Sequence, residues 1–291
     1  MIGTVMGYLS LALASAALLG IWKFGLGIYR GKVTVWSVIL VSASAAAVMY
    51  VALGALTRDL AFAPDEVAEG LLGGALNLTG TYLLLKAYQH GKLGVATGVA
   101  ATNVLVPLGY SIYSGEGFTA LDVMGIGLIF AGLGTFYISH MRTRESESAE
   151  QSRDANLVII LALASALFWG TAIVVLDVGT RVSVTGTLAM SQVPQITASL
   201  VMVLIAVERN LSGVTSRAIG VLLASGVALA LGNIAFFTAA NEGNIGIVSI
   251  LASLSPMVTA LLAVAFFKER LTRVELLALV IVVAGACLVV A

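Results

Sequence analysis

Apolar residues run along this chain in blocks of about twenty, without the alternation of a half-buried strand or the narrow stripe of a soluble helix. Ten blocks are legible: Val5–Phe24, Val33–Leu56, Val67–Tyr88, Leu93–Tyr113, Leu121–His140, Asn156–Leu176, Val184–Val207, Ala218–Ala240, Ile245–Phe267 and Thr272–Ala291. About 20 apolar residues is what a helix needs to cross hydrocarbon, so the pattern predicts an all-α integral membrane protein with ten transmembrane helices. Connections are short, and most carry a charge or a glycine. The exception is Met141–Asp154, MRTRESESAEQSRD, which is polar and has no apolar periodicity. It reads as a linker, residues 141–155, between halves at 1–140 and 156–291.

The halves carry the same ordered marks. LALASA stands at Leu11–Ala16 and again at Leu161–Ala166, with Gly20 and Gly170 in step. Gly74, Gly80, Ala87, Gly91, Gly94 and Ala100 match Gly226, Gly232, Ala239, Gly243, Gly246 and Ala252. After one more slip, Glu116, Thr119, Ala131 and Gly132 match Glu269, Thr272, Ala284 and Gly285. The hexapeptide alone is weak in alanine-rich helices, but the ordered series predicts a duplication. Five helices per half is an odd number, so the second half enters the membrane in the opposite sense. That predicts two inverted five-helix repeats, a plan with its site near midplane between them.

Composition sharpens the picture. The 291 residues are 59% hydrophobic and 10% charged, with net charge +0 and mean hydropathy +1.05. A soluble domain carries roughly 25% charged residues, so this surface must face lipid. The absence of a basic field excludes nucleic acid as a partner. Two histidines and one cysteine, His90, His140 and Cys287, exclude a disulfide framework and argue against a dedicated metal site. No glycine-rich phosphate loop or nucleophile–histidine set points to an enzyme, and no cofactor is expected. The first block lacks the positive flank of a signal peptide and reads as a permanent helix.

Charge sets the expected orientation. Thirteen of the fifteen Lys and Arg residues, among them Lys23, Lys86, Arg142 and Lys268, lie on the side reached after odd-numbered helices, and only Arg58 and Arg181 lie opposite. The positive-inside rule puts the crowded side in the cytoplasm of a cell with this protein in its inner or plasma membrane, and both termini outside.

Glu242-Gly243, Ser255-Pro256 and Glu269-Arg270-Leu271-Thr272, followed by an Ala-Gly helix, resemble the EamA-type repeat of the drug/metabolite transporter superfamily. The first half carries a degenerate version, with Gly115-Glu116-Gly117-Phe118-Thr119 at the turn and Pro107 three residues out of register with Pro256. The resemblance implies ten helices, two inverted repeats and transport of small metabolites, often outward. Members are usually drawn with cytoplasmic termini, the reverse of what the charge bias here argues.

None of the acids falls near the centre of a predicted span. The first helix offers Ser10 and Ser15 where small multidrug relatives carry a glutamate, which argues against proton antiport of organic cations by that route. Neutral polar groups do lie at mid-depth, and buried amides need partners. Asn77, Thr81, Tyr82, Asn103, Gln192, Gln195, Asn233 and Ser253 are the candidate substrate-binding set, with Trp169 as an aromatic wall. Interhelical hydrogen bonding is the competing reading for the amides. Lys23 and Lys86 read first as snorkelling to the interface, and alternatively as a carboxylate- or phosphate-binding lysine at a cavity mouth. Gly70, Gly73, Gly74 and Gly80, with Gly125, Gly127, Gly132 and Gly134, supply small faces for close helix contacts. Pro107, Pro194 and Pro256 are expected to kink their helices.

The function expected is a carrier for an amino-acid-like or other neutral or zwitterionic metabolite, working by alternating access as a monomer or homodimer among membrane lipids. The alternative is a translocase or binder of a lipid-linked substrate.

Overall fold

The computed structural model describes residues 2–29, 32–90, 93–142, 149–205, 215–267 and 273–290. The centre of the polar linker and the Glu269–Thr272 turn lie outside these. Every regular element among the described residues is helical: α1 (Ile2–Ile28), α2 (Val35–Thr57), α3 (Pro64–His90), α4 (Leu93–Ala100), a 3₁₀ turn (Ala101–Val104), α5 (Leu105–Tyr113), α6 (Ala120–Arg142), α7 (Ala149–Thr180), α8 (Val184–Ile205), α9 (Ser216–Glu242), α10 (Ile245–Ala252), α11 (Ser255–Phe267) and α12 (Arg273–Val290). Six stretches are long and apolar enough to cross a membrane: Gly7–Ile28, Val35–Thr57, Asn156–Thr180, Val184–Ile205, Ser216–Glu242 and Ile245–Phe266. Leu56, Ile160, Leu167, Leu204 and Phe266 stand exposed on these helices. Such a surface is at home in hydrocarbon and unstable in water.

Helix ends are set by short polar side chains. Thr34 accepts from Ser37 N (3.2 Å) at the start of α2 and Thr215 accepts from Ala218 N (3.2 Å) at the start of α9. Thr119 and Asp122 exchange bonds as a capping box that opens α6, Thr119 N to Asp122 Oδ2 at 2.7 Å and Asp122 N to Thr119 Oγ1 at 3.1 Å. Helix α2 stops at Arg58, whose φ of 60° lets its N–H return to the Gly54 carbonyl. The polar linker is shorter than its sequence suggests. Helix α6 runs through Arg142 and α7 begins at Ala149, because Ala, Glu, Gln and Arg propagate a helix as readily in water as Leu does in lipid.

Glycine brings the helices together. Gly74 of α3 lies against the Ser191 main chain of α8, and Gly70 faces the Thr187 carbonyl one turn earlier. Gly226 of α9 meets the Ser42 carbonyl of α2, and Gly125 and Gly285 face one another's carbonyls between α6 and α12. Gly127 and Gly134, by contrast, have open space around them, so only part of the small-residue pattern is interface. The major neighbours are α3 with α7 and α8, α1 with α9, α2 with α8 and α9, and α6 with α12.

Two of the ten apolar runs are broken. Residues 93–113 pass through the 3₁₀ turn, and 245–267 are interrupted at Ser253–Leu254. The prolines in these runs do not kink helices as expected. Pro107 and Pro256 instead sit in the first turns of α5 and α11, where a missing N–H removes no helical bond. Pro194 alone lies inside a helix.

Candidate functional site

Both breaks open on one cavity of about 740 Å³. Its walls come from α1, α3, the 3₁₀ turn, α7, α9 and the α10–α11 break. Close contacts hold the breaks in place. A Cβ at Gly20 would lie 2.7 Å from the Ser255 carbonyl, and one at Gly170 would lie 2.6 Å from the Asn103 carbonyl. Thr259 Oγ1 ties the second break to α1 by donating to the Gly20 carbonyl (3.0 Å).

One wall is aromatic. Trp22 and Trp169 lie with ring centroids 5.6 Å apart at 41°, and Phe236 and Phe237 meet edge to face at 4.9 Å. Ile173, Leu176 and Leu229 extend this apolar wall. Trp169 Nε1 donates to Thr81 Oγ1 (3.3 Å), which donates to Asn77 Oδ1 (3.2 Å). Asn233 Nδ2 donates to the hydroxyl of the fully buried Tyr50 (3.0 Å). Asn77 and Asn233 line a cavity whose other walls are mostly apolar, and those bonds leave the Asn77 amide nitrogen and the Asn233 amide oxygen with capacity to spare.

Of the nine candidates read from sequence, Asn77, Asn103, Trp169, Asn233 and Ser253 line the cavity. Thr81 stands behind Trp169 and Asn77 as their shared partner. Tyr82 points elsewhere and stacks on Trp36 at 4.8 Å, with Lys86 Nζ 5.6 Å from its ring centroid. Gln192 and Gln195 are buried on α8 and bond along their own helix. Gln192 Nε2 donates to Ser191 Oγ (2.8 Å) and Gln195 Nε2 to Gln192 Oε1 (3.2 Å). Neither is in the cavity wall, because a long amide mid-helix reaches its own preceding turn at no cost in packing.

Lys23 was read first as snorkelling, and the structure differs. Only 6% of it is exposed, it lines the cavity, and Nζ donates to Ser255 Oγ at 2.8 Å, 5.3 Å from the Trp169 ring centroid. Trp22, Ser249 and Ser255 also line the cavity and were not among the candidates. The missed signal is Gly20. A residue three positions on shares its helix face, and a glycine face pressed on another helix is not a lipid face.

One end of the bundle is tied shut around the loops that carry Asp59 and Asn244. Ser111 Oγ at the end of α5 donates to Glu116 Oε2 (2.5 Å) and lies 2.9 Å from Asn244 Oδ1, the N-cap of α10. Asp59 caps α8 through Thr185 N (2.9 Å), and Ser183 Oγ bonds the Asp59 carbonyl. Arg181, just beyond α7, donates to Asp177 Oδ2 (2.8 Å). That bond, with the carboxylate's charge, holds the guanidinium above its ordinary range. Among the described residues, no group of His, Cys, Asp and Glu is arranged to hold a metal.

Residues 156–291 match the EamA-like transporter family. The match covers 136 of the 291 residues, a little under half of the chain. A search of curated proteins returned no match. A solved structure titled "Crystal structure of protein" superposes with TM-score 0.75 at 17% identity, covering 96% of each chain, and shows the shared fold alone. The matched segment supplies Trp169, Asn233, Phe236, Phe237 and both sides of the α10–α11 break. The family is one of transporters, and six helices long and apolar enough to cross a membrane suit a multi-pass membrane protein.

Proposed function

We propose that the protein is a carrier that moves a small polar metabolite, amino-acid-like or otherwise neutral or zwitterionic, by alternating access around the central cavity. The observation that carries this reading is the meeting of two interrupted helices, α4–α5 and α10–α11, on one cavity. Interrupted helices that present freed main-chain groups to a midplane site are the mark of secondary transporters.

In this reading the chain crosses the membrane ten times, as two inverted repeats at 1–140 and 156–291 joined by 141–155. The packing supports it, because exchanging the halves returns the same neighbours. Helix α3 packs on α7 as α9 packs on α1, and α3 on α8 as α9 on α2. Gly74 on the Ser191 main chain corresponds to Gly226 on Ser42, and Gly170 on the first break to Gly20 on the second. The repeats rock about the cavity, the Ser111–Asn244 contact opening as the opposite end closes. The side rich in Lys and Arg faces the cytoplasm, with both termini outside.

The test uses Asn77→Cys in a Cys287→Ser background. A membrane-impermeant thiol reagent is applied to right-side-out and inside-out vesicles. Modification from both faces is expected, since the cavity opens to each in turn. Modification from one face only, or from neither, in a folded variant overturns alternating access.

A further inference from the structure

We infer that the solute carried in this cavity bears a single carboxylate, held by Lys23, on an apolar or aromatic body. This rests on the reading of the cavity as a carrier site, and it replaces a neutral or zwitterionic solute by a monoanion.

Lys23 is the only Lys, Arg, His, Asp or Glu among the residues that line the cavity. No described carboxylate pairs with it, and its contacts are a hydroxyl, Ser255 Oγ, and the face of Trp169. Both are neutral. A hydroxyl and a ring face orient an ammonium but leave its charge uncompensated, and a charge inside a membrane protein marks a ligand or ion path. The ammonium has three protons and Ser255 takes one, which leaves two donors for an oxyanion. The indole N–H of Trp22 and the hydroxyl of Ser249 are buried and have no partner. Both residues line the same cavity as Lys23 and are more than nine-tenths buried. Buried donors are ordinarily satisfied, so these two fit an acceptor that arrives with the ligand.

The count of charges selects the anion. One ammonium balances one carboxylate. A phosphate ester, at close to two negative charges, would leave net charge in an enclosed site. Trp169, Ile173, Leu176, Phe236 and Phe237 give the same cavity an apolar and aromatic face against which the rest of the solute would lie.

The test measures binding to the purified full chain in detergent at neutral pH, by the shift in unfolding midpoint and by titration. The probes are 3-phenylpropionate and 4-methylpentanoate, their neutral amides, and phenyl phosphate. Each acid is expected to bind at least tenfold more tightly than its amide, and phenyl phosphate more weakly than the acids. In Lys23→Met the preference for acid over amide collapses to within twofold. In Trp22→Phe, which keeps a ring and loses the N–H, acid affinity falls several-fold and amide affinity does not; this variant serves also if Lys23→Met fails to fold. Equal binding of acid and amide overturns the inference, as does an acid preference that survives in Lys23→Met, tighter binding of phenyl phosphate, or binding of none of the probes. The accessibility of Asn77→Cys is unaffected by any of these outcomes, so failure of the carboxylate assignment and failure of the carrier reading are separately visible.

Discussion

The same substitution at two glycines should have opposite effects. At Gly74 a Cβ would meet the Ser191 carbonyl and lie 2.7 Å from Ser191 Cα and 2.8 Å from its carbonyl carbon. Ordinary contact begins at 3.4 Å, so Gly74→Ala must part α3 from α8 by about 0.7 Å, a gap that forfeits a quarter to a half of each neighbouring contact. Overpacking of this kind costs about 1–3 kcal/mol. Gly127, exposed on α6, has nothing within 4 Å of the added carbon. There Gly127→Ala gains about 0.5–1 kcal/mol, because alanine gives up less conformational freedom on entering a helix. The two variants should therefore differ by about 1.5–4 kcal/mol, with wild type between them. Thermal unfolding of membrane proteins is often irreversible, so the assay is inactivation half-time at one fixed temperature in one detergent, read by monodisperse recovery. Gly74→Ala should shorten the half-time and Gly127→Ala lengthen it. Equal half-times for the two would refute the close α3–α8 approach, and with it the placement of Asn77 one turn along the same helix.

Gln192→Ala should lower stability by about 1 kcal/mol, through loss of the α8 side-chain chain. It should leave ligand affinity and transport within twofold, measured on the same preparation. Tyr50→Phe and Asn233→Leu should show coupling of about 1 kcal/mol in a double-mutant cycle, since each removes the same buried hydrogen bond. Arg181→Leu should lower stability by about 1–3 kcal/mol, because the arginine is exposed but the Asp177 carboxylate it bonds is buried and would lose its partner. An unfolding curve taken from pH 6 to 9 should show no step attributable to Arg181, whose folded-state affinity for its proton is raised and lost only far above that range.

How much of this was legible in the sequence depends on what each residue faces. Asn77 and Asn233 announced themselves because an amide in mid-run is costly in lipid, and both lie in the cavity wall. Gln192 and Gln195 gave the same signal for a different reason, since a longer amide satisfies itself along its own helix. Hydropathy cannot separate these cases, because lipid-facing, helix-facing and cavity-facing positions are all apolar in a membrane bundle. Lys23 was misplaced because its distance from the end of the apolar run allowed it to reach the interface, and only the packing of Gly20 on Ser255 turns that face inward. The helix breaks were half legible. Pro107 and Pro256 marked the spots, but a proline within an apolar run reads as a kink until the start of a new helix is seen around it.

The break at Ser253–Leu254 has an evolutionary consequence. Pro256 has no N–H to give to the Ala252 carbonyl, and Ala252 is part of the cavity wall. If the cavity is the carrier site proposed above, that carbonyl would be a main-chain group open to a solute, fixed by the fold and indifferent to which side chains surround it. Substitutions at Lys23, Asn77, Ser249 or Asn233 would then retune selectivity while the main chain at the break persisted, and two descendants of such a scaffold would share a transport cycle while having no solute in common.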